Sequence, residues 1–76
     1  MKKLLAYLVS SIINHQEELL ITETEEGDYL NLIIKVHPDD LKILIGKSGQ
    51  TIRAIREIVK IKALTERKKV NIKIKE

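Results

Sequence analysis

Two glycines, a lysine and a serine stand together at Gly46-Lys47-Ser48-Gly49, and these are residue types that can hold a phosphate. Glycine lets backbone amides approach an anion closely, lysine adds a mobile positive charge, and serine adds a small hydroxyl. Gly46-Lys47-Ser48 also matches the end of a Walker A loop, which would make this an ATP site. That loop needs a glycine five residues before Gly46 and a buried strand leading into it. Position 41 is Leu41, and "HPDDLKIL" reads as a helix, so nucleoside triphosphate chemistry is set aside. Taken alone, two glycines also make an ordinary tight turn between helices.

Either role requires a helix on each side. Pro38 suits the first position of a helix, Asp39 and Asp40 sit where the positive end of the helix dipole favours acids, and Leu41, Leu44 and Ile45 form one apolar face that ends at Gly46. A second helix is predicted from about Gln50 to Leu64, starting just after Gly49, so its unpaired amides point into the loop. Its apolar residues Ile52, Ile55, Ile58, Val59 and Ile61 cover more than the ~100° arc that one core contact needs, which leaves apolar surface for a ligand or partner. Arg53, Arg56 and Lys60 stack as a positive stripe on the remaining side, while Lys62 and Leu64 fit neither face.

Upstream, "MKKLLAYLVSSIIN" places Leu4, Leu5, Leu8, Val9, Ile12 and Ile13 at helical spacing, an amphipathic helix docking on the core. Its lysines and apolar run resemble the start of a signal peptide, but no small-residue cleavage site follows. "ELLITETEE" and "DYLNLIIKV" are two strands joined by a turn near Gly27 and Asp28, with Leu30, Leu32, Ile34 and Val36 facing inward. After the polar turn "ERKK", the strand "VNIKIKE" turns Val70, Ile72 and Ile74 inward. Three strands with the helices on one face are the economical two-layer arrangement.

With 76 residues and no cysteine, the chain is expected to be one small domain, residues 1–76, held by packing without disulfides. A net charge of +3 hides a division. Residues 1–40 carry three lysines against eight acids, a net of −5, and residues 41–76 carry eleven Lys/Arg against three acids, a net of +8. The second half is therefore the one suited to a polyanion. No stretch is long enough to span a membrane, and with no export signal a cytoplasmic location is expected.

The stretch Ile45-Gly46-Lys47-Ser48-Gly49-Gln50-Thr51-Ile52 matches the I-G-x-x-G-x-x-I signature of the KH domains, and the element order α-β-β-α-α-β resembles the type II form of that fold. The resemblance covers essentially the whole chain and looks closest to small bacterial proteins with one KH domain, the KhpA-like or YlqC-like family, through "HPDDL" and "TIRAIREIVKIKA". It implies an α+β fold whose GXXG loop clamps four nucleotides of single-stranded RNA. It also implies a groove with Gly46, Lys47, Ser48 and Gly49 on its phosphate side, Ile45 and Ile52 in its aliphatic floor, and Arg53 and Arg56 extending a positive rim. A homodimer, or a heterodimer with a larger KH-containing protein, and work as a post-transcriptional regulator or RNA chaperone follow from the same resemblance. The residues themselves, with no cysteine, no metal-like cluster of acids and no stretch of membrane length, give the expectation of no cofactor, metal, membrane or small-molecule substrate. With only Tyr7 and Tyr29 available to stack bases, binding is expected to be weak and permissive.

Three other readings compete. A helix-turn-helix reader of duplex DNA needs an exposed polar recognition helix, and the aliphatic content of Gln50–Leu64 leaves little of one. A dimerisation or adaptor module would use the same apolar helix surface, and an acid inside the loop would have favoured it over RNA. An enzyme is not expected: His15 and His37 stand without a nucleophile or base partner, and each suits a structural place at a helix end.

Overall fold

The computed structural model describes residues 1–75; Glu76, the last residue of the predicted C-terminal strand, lies outside them. The elements are α1 (Lys2–Ser10), β1 (Leu20–Glu26), β2 (Tyr29–Lys35), α2 (Pro38–Ile45), α3 (Gln50–Thr65) and β3 (Lys69–Ile74), the order expected from the sequence. The sheet runs β1-β2-β3, with β1 antiparallel and β3 parallel to β2. Gly27, at φ 59°, supplies the left-handed residue that the tight β1–β2 turn requires.

All three helices cover one face. Leu5 and Val9 of α1, Leu44 of α2, and Ile52, Ile55 and Val59 of α3 meet Ile21, Leu32, Ile34 and Ile72 of the sheet. Leu32 is sealed on the central strand, so Leu32→Ala is worth roughly 2–5 kcal/mol of cavity and lost contact. On β1 only Ile21 is buried, because the helices do not reach the far end of that strand. There Glu25 accepts a hydrogen bond from Lys68, which closes the uncovered corner.

The first helix stops earlier than its apolar spacing suggests. The hydroxyls of Ser10 and Ser11 both donate to the Tyr7 carbonyl, at 3.2 and 2.6 Å, and compete with the helical ladder. Ile13 still reaches the core from the irregular segment beyond, but Ile12 is left exposed. The buried carboxylate of Asp40, fully enclosed, accepts from the amides of Asn14 at 3.0 Å and His15 at 2.8 Å and ties this segment to α2. Burial pushes the Asp40 carboxyl up, but those two hydrogen bonds, with the His15 and His37 rings nearby, outweigh it and hold the group below its ordinary value. No helix among the described residues is long and apolar enough to cross a membrane.

Candidate nucleic-acid interface

Helix α2, not a strand, leads into the glycine loop, so the context of a Walker A site is absent. Gly46 ends α2 at φ 77° and ψ 175°, a backbone region essentially restricted to glycine. A Cβ there would lie 2.2 Å from the Thr51 hydroxyl oxygen and 2.8 Å from the Thr51 nitrogen. Gly46 is thus required both by its own backbone angles and by the first turn of α3 folded against it. Lys47–Gly49 form one short 3-10 turn, closed by the Gly49 amide donating to the Gly46 carbonyl at 3.2 Å.

Past Gly46 the loop is open. Ser48 is left-handed at φ 55° and Gly49 at φ 76°, and no atom lies within 4 Å of where a Gly49 Cβ would be. Lys47 and Ser48 are exposed, and no side chain caps the start of α3. The outcome is a pair of glycines with different jobs, one pressed against the protein and one bordering free space at the positive end of a sixteen-residue helix.

The other predicted residues are distributed unevenly. Arg53 is exposed on the second turn position of α3, close in sequence to the loop. Arg56 is anchored: its Nη2 donates to the Ile72 carbonyl of β3 at 3.2 Å, bridging helix and strand. Ile45 is half-buried beside the loop, whereas Ile52 is packed in the core. Lys60 joins the arginines, and a groove of about 340 Å³ runs between α3 and the free edge of β3, lined by Arg56, Glu57, Lys60, Val70, Asn71 and Ile72. The β3 side of this groove was not foreseen from sequence. Alternation turns Val70, Ile72 and Ile74 inward but could not reveal that β3 is the edge strand, whose Ile72 carbonyl Arg56 reaches.

Helix α3 also carries a second, separate surface. Ile58 and Ile61 are exposed, Ile61 at 62%, and Ile58 lines an apolar groove with Leu8 and Ile12 of the α1 end and with Ala54 and Ile55. Ala54, Ile58 and Ile61 share one side of the helix, and Arg53, Arg56 and Lys60 share another. Lys62, which fitted neither, pairs with Glu66 one turn on at 3.5 Å.

Comparison with known proteins gives a consistent result. The family model for the KH domain of KhpA/KhpB matches residues 2–74. The RNA-binding protein KhpA of Halalkalibacterium halodurans is 31% identical over 74 residues, covering 97% of each chain. The RNA-binding protein KhpA of Clostridium perfringens is 35% identical over 74 residues, covering 97% of this chain and 99% of its own. That of Oceanobacillus iheyensis is 41% identical over 59 residues, covering 78% of this chain and 79% of its own. No solved structure matches the chain.

Proposed function

The chain belongs to the KhpA/KhpB KH-domain family, and from that premise we propose that it is an RNA-binding protein that holds a short single strand in the groove between α3 and β3. The observation that carries this reading is the open turn at Lys47–Gly49, set at the start of α3 with a positive stripe running away from it. Phosphates rest on the Gly46–Gly49 backbone and the first amides of α3, with Lys47 and Arg53 adding charge and Ser48 a hydroxyl. Ile45 flanks the sugars and bases, and Ile52 holds the helix from the core. Arg56 and Lys60 border the bases, which face the hydrogen-bonding edge of β3. Phosphate contacts supply most of the affinity and little sequence preference.

The test is fluorescence anisotropy with labelled single-stranded RNA and with duplex DNA across a salt series, on the parent and on Lys47→Asp/Ser48→Asp. Both positions are exposed, and aspartate tolerates the left-handed backbone of Ser48, so the variant keeps its fold. With about three phosphate contacts the logarithmic salt slope for RNA is near −2. RNA bound above duplex DNA, and lost in the variant, is the expected result. Equal binding by parent and variant would remove the clamp.

A partner reading rests on the apolar side of α3. A second copy, or another KH-containing chain, packs on Ala54, Ile58 and Ile61 with Leu8 and Ile12, and leaves the Arg53–Arg56–Lys60 side free for RNA. Ile58→Glu is then monomeric by analytical ultracentrifugation and retains RNA affinity. A monomeric parent at micromolar concentration counts against this interface.

A further inference from the structure

The groove between α3 and β3 has a neighbour beyond Lys60. Around the start of β3 lies a second concavity of about 410 Å³, lined by Tyr29, Lys60, Leu64, Lys68, Lys69 and Val70. Lys60 and Val70 border both hollows, so the two are immediate neighbours. We propose that this corner is a second nucleotide site, in which a base of a single-stranded RNA stacks on Tyr29 while the adjoining phosphates lie against Lys60 and Lys69. The proposal rests on the RNA-binding reading and extends the footprint beyond the glycine clamp.

Its chemistry differs from that of the clamp. The glycine loop offers backbone and charge but no aromatic surface, whereas the corner offers the phenol ring of Tyr29, 45% exposed, and the side chain of Leu64, 66% exposed. An aromatic ring beside an aliphatic side chain suits the flat faces of a nucleobase of any sequence. The cations are sorted too. Lys68 is engaged by Glu25, a hydrogen bond that raises its pKa above the ordinary value, and Asp28 and Glu66 also act on it. Lys60 and Lys69 have no ion-pair partner among the described residues and remain available to an anion.

The corner is also fixed in shape. Tyr29 stands opposite Glu26 and Lys69 in the sheet register. The Lys69 amide donates to the Asp28 carbonyl at 2.9 Å, pinning the start of β3 to the turn that carries Tyr29. On the helix side, α3 ends with Arg67 left-handed at φ 56°, the Arg67 amide donating to Leu64 at 3.1 Å and the Lys68 amide to Ala63 at 2.9 Å. One backbone bond therefore ties β3 to the β1–β2 turn, and two fold the α3–β3 connection back onto the end of α3. The clamp and this corner lie at opposite ends of α3, about 24 Å apart for sixteen residues at 1.5 Å each. A strand that fills only the clamp does not reach Tyr29.

Length dependence tests the site. Anisotropy is measured with a labelled tetranucleotide and a labelled decanucleotide of RNA on the parent, Tyr29→Ala and Tyr29→Phe. The decanucleotide binds the parent more tightly; Tyr29→Ala weakens it roughly tenfold, Tyr29→Phe restores it, and tetranucleotide binding is unchanged throughout. As a second measurement, Tyr7→Phe leaves Tyr29 the only emitter in a chain without tryptophan, and the decanucleotide, not the tetranucleotide, quenches it. Tetranucleotide binding intact with no Tyr29 effect and no quenching overturns this corner alone. A parent that binds neither oligonucleotide overturns the RNA-binding reading beneath it.

Discussion

Helix α2 is held at its N-terminus by side chains and at its C-terminus by glycine alone. At the first end His37 accepts from the Asp39 amide at 3.0 Å, its ring stacks on His15 with centroids 4.0 Å apart, and Asp40 binds two amides of the distant α1–β1 segment. At the second end no side chain caps anything: Gly46 turns the chain, and Lys47, Ser48 and Gly49 project into open space. Polar groups at the first end are satisfied within the protein. At the second end the Gly46 and Gly49 amides bond only to backbone carbonyls and the Lys47 and Ser48 side chains stay exposed, and a helix of eight residues separates the two ends. Rigidity on one side is what lets the other stay unfilled without drifting.

The largest effect comes from breaking the contrast at Gly46. Gly46→Ala must leave its glycine-only backbone region and push Thr51 away, which together cost about 3–5 kcal/mol, comparable to the whole stability of a domain this size. Urea denaturation followed by far-UV circular dichroism should find the variant largely unfolded in buffer. A midpoint close to the parent's would show that α3 does not need the close approach.

Next in size is the other end. Asp40→Ala strands the amides of Asn14 and His15, and a fall of roughly ten degrees in Tm is expected. RNA affinity per folded molecule is unchanged, because Asp40 serves only the scaffold. The acid response carries the same signature. The folded Asp40 pKa lies below its ordinary value of 3.8, so its stabilisation is complete above that value and disappears as pH falls through the folded one. The Tm gap between parent and Asp40→Asn should therefore narrow on acidification below about pH 4. A constant gap down to pH 2 would mean that the charge of Asp40 is irrelevant and its shape is what counts.

The contrast also marks how far the sequence could be read. Apolar periodicity located the three α-helices and the three strands, though not the short 3-10 turn at Gln16–Glu18, and Pro38, Gly27 and Gly46 marked their limits, because these depend on neighbours within a few positions. The glycine turn was legible for the same reason. Asp40 was read only in part: it does stand in the first turn of α2, where the helix dipole favours an acid, but the two amides it holds lie 25 and 26 residues away, beyond the reach of local pattern. The early end of α1 turned on two serine hydroxyls that a hydrophobic pattern does not register. Arg56 was placed on the correct face, but its bond to Ile72 depends on β3 being the strand that borders α3. Tyr29 counted only as a scarce aromatic until the register set it beside Lys69.

Gly49→Ala is the mildest change and separates the two glycines most cleanly. An added methyl meets nothing within 4 Å, so the only structural cost is the left-handed backbone at φ 76°, about 1 kcal/mol. The protein should fold and melt a few degrees lower, far above Gly46→Ala. Binding should respond differently under the proposed clamp, in which a phosphate backbone passes through the empty space in front of Gly49. A methyl there holds the strand off the first amides of α3, and affinity for RNA should fall several-fold more than the small stability loss explains. If Gly49→Ala instead binds as the parent does, the strand does not pass over Gly49, and the open side of the loop has been assigned to the wrong ligand.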